Sequence, residues 1–163
     1  LADITKQFKI VGVMGGSVCS EEQGRAAYLT GRAIADQGTV LLCGGGLGTM
    51  TESARGAFEK GGLTIGILPG YDKQMANPYI KIALPTNMGD ARNSINILSS
   101  DVVVAIGGQS GTLSEIAFAI KAGKQVLAYD SCRPVFSGNK TPELFTEFKT
   151  VEELIEELKR MVG

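Results

Sequence analysis

The sequence predicts a single doubly wound α/β fold, with a mainly parallel sheet flanked by helices. Three observations carry that expectation. Short apolar runs alternate with amphipathic, helix-length stretches along the whole chain of 163 residues. Several of the runs stop in glycines that lead straight into the next helical stretch. One such turn is built twice: "GGGLGTMTE" over 44–52 and "GGQSGTLSE" over 107–115 share their Gly-Gly, Gly-Thr and final Glu. Strands that alternate with helices at this spacing form βαβ units, whose crossovers are right-handed.

The elements follow in order. "KIVGVMGGS" (9–17) reads as a buried parallel strand and its turn. The stretch over 20–38 is a helix. Ser20 and Gln23 have capping-box spacing, Ala26, Leu29, Ala33 and Ile34 share a face, and Gly38 ends it. "TVLLC" (39–43) is a second buried strand, 44–48 a glycine turn, and about 49–60 a helix. A third strand lies in "GGLTIGILPG", followed by a polar loop over 71–79 and a strand over 80–84. Residues 88–100 read as one helix, "DVVVAIGG" (101–108) as a strand and its turn, 112–123 as a helix and 124–130 as a strand. A loop holding "CRPVFSGNK" then leads to the terminal helix, 150–163. There Thr150 and Glu153 form a cap, and Val151, Leu154, Ile155, Leu158 and Met161 form an apolar stripe. That stripe is expected to close the core. No domain boundary interrupts 1–163.

Composition narrows the chemistry. Hydrophobic residues make up 44% and charged residues 20%, which fits a globular domain. The net charge of −1 offers no field to recruit nucleic acid or an anionic membrane, so neither is an expected partner. No apolar run is long enough to span a bilayer. Three cysteines, Cys19, Cys43 and Cys132, without CxxC spacing point to reduced thiols and a cytoplasmic location, not to a disulfide frame or a zinc site. The absence of histidine removes Ser-His-Asp and Cys-His catalysis and histidine-ligated metals. No metal site is expected, and no cofactor is certain from composition.

The glycine turns supply the functional expectation. A strand that turns at once into a helix presents free N–H groups and the positive end of the helix dipole, which together cradle anions. Turns over 12–17, 44–48 and 107–111 should share the carboxyl edge of the sheet and outline a site for a phosphorylated small molecule. Gly15, Gly16, Ser17, Gly45, Gly46, Gly48, Gly108, Gly111 and Thr112 are the candidate ligand-binding residues. The competing reading is that the glycines only let helices pack close to strands. The dinucleotide pattern GxGxxG fails, with Thr49 at the third glycine position, and the P-loop pattern is absent.

Two side chains add to the turns. Thr49–Glu52 and Thr112–Glu115 both have capping-box spacing. A carboxylate in the first turn would repel a phosphate bound there, so Glu115 could instead face a sugar hydroxyl or a base. Arg92 opens a helix, where its charge opposes the dipole, and this suggests a partner. A bound phosphate, Glu115 and Asp90 are the candidates. Asn93 and Asn96 extend the same polar patch.

"RNSINILSSDVVVAIGGQSGTLSE" resembles the signature of the LOG-like ("lysine decarboxylase-like") superfamily: an Arg-Lys pair, an Asp-headed strand, then PGGxGTxxE. "GGGLGTMTESARGAFEKGGLTIGILPG" resembles that superfamily's earlier glycine turn, helix and strand. The resemblance covers roughly residues 9–129. It implies a Rossmann-like nucleotide-binding domain and a homodimer or larger homo-oligomer. In the LOG enzymes, which cleave the N-glycosidic bond of nucleoside 5′-monophosphates, it implies catalytic roles at Arg92 and Glu115. Gly107, Gln109 and Asn93 depart from the enzyme pattern, standing where it has proline, glycine and lysine. "IVGVMG", "TIGILPG" and "ARNSINILSS" resemble more closely the molybdenum-cofactor carrier branch. That resemblance makes molybdenum cofactor the candidate ligand, with the phosphoribohydrolase as the alternative function and no support for decarboxylation.

Overall fold

The computed structural model of the protein describes residues 8–138 and 141–163. The end of the "CRPVFSGNK" loop, Asn139 and Lys140, lies outside them. Seven strands pair in parallel in the order β4-β3-β2-β1-β5-β6-β7: β1 is Ile10–Gly15, β2 Val40–Cys43, β3 Thr64–Leu68, β4 Ile82–Pro85, β5 Val102–Ile106, β6 Gln125–Tyr129 and β7 Phe145–Phe148. The helices are α1 (Glu21–Asp36), α2 (Thr49–Glu59), α3 (Asn93–Ser99), α4 (Ser110–Lys121) and α5 (Val151–Val162).

Strand alternation sorts the core into two layers. Val11, Val13, Leu41, Cys43, Val102, Val104, Ile106 and Leu127 face one way, packing with α1, α2 and α5. Met14, Leu42, Val103, Ala105, Val126 and Ala128 face the other, packing with α3 and α4. Side chains of successive strand residues point to opposite faces, so a strand covered on both sides must be apolar at every position. This is why "VVVAI" and "VLLC" carry no polar residue.

Strand order reverses at β1. From β1 the chain builds outward through β2, β3 and β4, then returns to lay β5 on the other side of β1. The turns after β1 and β5 therefore diverge to opposite faces and leave a crevice between them, where ligands of such sheets bind.

Three expectations change. The segment read as loop before the terminal helix contains β7, which pairs with β6 through Val126↔Phe145 to Tyr129↔Phe148. Four residues at a sheet edge carry too little periodicity to stand out. The helix expected over 88–100 is a 3-10 turn, Gly89–Arg92, followed by α3. The capping boxes at Thr49–Glu52 and Thr112–Glu115 do not form. Their helices start earlier, with Gly48 and Gln109 at the N-cap and no side-chain cap, so both threonines already lie inside the helix. Glu52 pairs instead with Arg55 at 2.5 Å.

The other two capping boxes form as expected, at Ser20/Gln23 and Thr150/Glu153. Val151, Leu154, Leu158 and Val162 of α5 are buried, so the terminal stripe closes the core. Thr150→Ala should cost about 1 kcal/mol by releasing the Glu153 amide. That loss would lower the thermal midpoint by about 2–4 °C. An unchanged midpoint would mean that packing alone holds α5.

Candidate functional site

A cleft of about 540 Å³ opens at the β1/β5 crevice. One wall is the turn after β1, with Gly15, Gly16, Ser17 and Val18. The opposite wall is the start of α4, with Gly108, Gln109, Ser110, Gly111 and Thr112. Gly44 and Met50, from the turn after β2 and from α2, reach in beside Asp90, Arg92 and Asn93. Glu115 lies one turn into α4.

The two glycine walls meet closely: a Cβ on Gly16 would stand 3.5 Å from Gly108 Cα. Gly107 and Gly108 turn the chain with φ of +60° and +91°. A proline ring holds φ near −65°, so the Pro-Gly-Gly of the enzyme pattern cannot adopt this turn. The space beside Gly107 is filled by the Gln23 amide, 2.8 Å from where its Cβ would be. Gln23 is fixed there by the Ser20 N–H, which it accepts, and by Asp130, to which it donates at 2.8 Å. Gly111, in contrast, faces open space, with nothing within 4 Å of an added Cβ.

Arg92 ends the 3-10 turn and lies against Gly44, with Nη2 2.7 Å from where a Cβ would sit there. It donates from Nη1 to Asn93 Oδ1, and its buried Nε has no partner. Among the described residues no carboxylate comes within ion-pair distance of it. Neither Asp90 nor Glu115 is its salt-bridge partner, and its charge is left to the cleft.

Glu115 is 7% exposed. Asn96, fully buried on α3, donates from Nδ2 to Glu115 Oε1 at 3.4 Å. Burial pushes the Glu115 carboxyl up to about 7; the Asn96 hydrogen bond and the Arg92 charge oppose the rise, and Asp90 adds to it. Desolvation disfavours the charged form, and one long hydrogen bond does not offset it.

The structure thus brings Arg92, Glu115, Gly15, Gly16, Ser17, Gly108, Gly111 and Thr112 to one cleft. Gly45, Gly46, Gly48 and Asn96 do not line it. Asn77, a residue the sequence reading passed over, donates to the Gly46 carbonyl at 2.9 Å through its side chain and to the Gly45 carbonyl at 2.8 Å through its N–H. Gly45 packs on Leu68, and Gly48 on the carbonyl of Gly16. In the turn after β2, then, Gly44 lines the cleft while Gly45, Gly46 and Gly48 make packing and hydrogen-bond contacts within the fold. Gly44, Met50, Gln23 and Asp90 also line the cleft, although the sequence reading gave Gly44 only a place in a turn, Gln23 a place in a cap and Asp90 a place beside Arg92. The thiols serve the frame: Cys43 is buried, which pushes it up to about 11, and Cys132 donates to the Gly108 and Gln109 carbonyls.

A seven-stranded parallel sheet with this cleft at its strand-order switch defines a Rossmann-like α/β protein of the LOG-like type, near the molybdenum-cofactor carriers. The SLOG cluster 4 family model matches residues 8–160, and the chain belongs to that family. The molybdenum cofactor binding protein of the phototrophic bacterium Rippkaea orientalis is 37% identical, with a TM-score of 0.87, over 96% of this chain and 99% of that one. The molybdenum cofactor carrier protein of Chlamydomonas reinhardtii is 34% identical, with a TM-score of 0.83, over 96% and 99%. An uncharacterized protein of Archaeoglobus fulgidus is 48% identical over 116 residues, 71% of this chain and 76% of that protein.

Proposed function

We propose that the cleft binds a phosphorylated heterocyclic small molecule, and that the protein carries molybdenum cofactor. One observation carries this reading: glycine turns from two separate crossovers line the same cleft, with Arg92, which has no carboxylate partner among the described residues, beside them. Helix N-termini and turn amides hold phosphate without net positive charge on the protein. Gly15, Gly16, Ser17, Gly108, Gly111 and Thr112 would hold the cargo's phosphate, with Arg92 balancing its charge. The bare space at Gly111 fits such a group, since nothing else occupies it. The similarity to proteins that bind and carry molybdenum cofactor, at more than a third identity over nearly the whole chain, supports the choice of cargo.

Gly111→Asp tests the anion cradle. A first-turn carboxylate suits a helix N-terminus by about 0.3–1 kcal/mol, so stability should hold or rise. The same charge should weaken binding of molybdenum cofactor at least tenfold, read by co-elution of molybdenum or by titration. Full binding in this variant would remove the cradle from the reading.

A second reading rests on Arg92 and Glu115 lying in one cleft. There Glu115 would stabilise the oxocarbenium-like state of N-glycosidic cleavage in a nucleoside 5′-monophosphate. Incubation with AMP separates the two: free adenine and ribose 5-phosphate, lost in Glu115→Gln, would favour the hydrolase over the carrier. A homo-oligomer, which the resemblance implies, would find an apolar edge at β4. Ile82 and Leu84 of β4 share the face of Ile65 and Ile67 and are 41% and 45% exposed.

A further inference from the structure

The cleft is divided by polarity. The glycine walls offer N–H donors from the turn after β1 and the start of α4. Glu115 and Asp90 bring two carboxyl groups to the same cleft. A phosphate belongs with the donors and away from the carboxyls. The ring it is attached to must then meet Glu115.

Glu115 can be read further. It is more than nine-tenths buried, and its Oε1 has a single long hydrogen bond from Asn96. Among the described residues no donor reaches Oε2, although the side chain lines the cleft. Oε2 is not sealed off, since the buried polar atoms without a partner among the described residues are Thr30 Oγ1, Arg92 Nε and Asn96 Oδ1, so it is open to accept a donor from a molecule in the cleft. Met50 and Val18 line the same cleft, and Val18 is 86% exposed, an apolar surface that a flat ring would cover.

Resting on the phosphate-binding reading above, we propose that Glu115 selects the ring, accepting hydrogen bonds from an N–H and an adjacent amino group. That pair is the edge of a 2-aminopyrimidinone, which guanine and pterins share. A carboxylate takes two parallel N–H donors well, and a site built for a donor rejects the analogue that lacks it. Besides burial, the groups that set the charge at Glu115 are Asn96 of α3, its one hydrogen-bond donor among the described residues, and Arg92 and Asp90 from the 3-10 turn.

GMP and IMP carry the same ribose phosphate and differ by the 2-amino group, so their ratio isolates the ring contact. Titration calorimetry of the wild-type protein should find GMP bound at least tenfold tighter than IMP. In Glu115→Gln the two should bind within about twofold of each other, because the amide offers one acceptor in place of two. Between pH 6 and pH 8 the wild-type ratio should rise as Glu115 ionises, while phosphate ionisation cancels between the ligands. Equal binding of GMP and IMP, with ribose 5-phosphate also bound, would overturn the ring assignment and leave the anion cradle standing. A GMP preference that survives in Glu115→Gln would overturn the role of Glu115. Failure of ribose 5-phosphate, GMP and IMP alike to bind would overturn both the cradle and this inference.

Discussion

Glu115→Gln should make the protein more stable at pH 8 by about 3 kcal/mol, and leave it unchanged near pH 4.5. The carboxyl is pushed from 4.5 to about 7 in the fold, chiefly by burial. Between those values the folded chain keeps a proton that the unfolded chain has released. Stability from this group is therefore fully present below about pH 4.5 and falls as pH rises, until it levels off above about pH 7. Glutamine is neutral throughout and can still accept from Asn96. Urea midpoints of both proteins at pH 4.5 and pH 8 measure the difference, which should appear as a thermal shift of about 6–12 °C at the higher pH. Parallel pH profiles for the two would show that Glu115 is ionised at ordinary cost, and that the cleft around it is wetter than its burial implies. A residue that destabilises the fold near neutrality is the kind of feature retained for a ligand.

Gly31→Ala and Gly56→Ala should each lose about 2–4 kcal/mol, against the trend of helix propensity. In an exposed helix alanine is favoured over glycine by about 1 kcal/mol. Here α1 and α2 cross backbone to backbone. A Cβ on Gly31 would lie 2.0 Å from the Ser53 carbonyl oxygen, and one on Gly56 2.0 Å from that of Tyr28. The obstacle is main chain, which cannot rotate aside, so the helices must separate and open the core at Ala27, Ala54 and Ala57. Thermal or urea unfolding reads the loss. Gly111→Ala supplies the contrast: with nothing within 4 Å, it should unfold no earlier than wild type. Equal stability in all three variants would mean that the α1–α2 crossing has slack. Neither Gly31 nor Gly56 belongs to a glycine turn, and nothing in their local sequence distinguishes them from weak points in a helix.

The candidate site was legible where the main chain makes it. Turns over 12–17 and 107–111 follow buried strands, and that order alone sends both to the carboxyl edge. The turn over 44–48 has the same composition but sends only Gly44 to the cleft, while Asn77 takes up the Gly45 and Gly46 carbonyls from a loop more than 30 residues away. Spacing could not reveal that. Nor could it place Glu115: Thr-x-x-Glu marks a cap only if the helix begins at the threonine, and α4 begins at Ser110. Starting two residues earlier carries Glu115 past the first turn and points it inward, toward Asn96. Arg92 was marked by its adverse position at a helix start, while its lack of a salt-bridge partner follows from where the other carboxylates come to rest.

By itself the sequence determined the layers and the chemistry available to them. All-apolar strands had to lie inside a sheet covered on both faces, glycine turns had to follow them, and a chain without histidine could use neither histidine catalysis nor histidine-ligated metals. Only the tertiary structure decided which turns meet. Strand order is set by packing between segments far apart in the chain, and it is the reversal at β1 that opens a cleft between the first and fifth strands. The same packing withdrew water from Glu115 while leaving Arg92 with no carboxylate partner among the described residues, because burial and partnership are properties of the assembled layers and of no local stretch of residues.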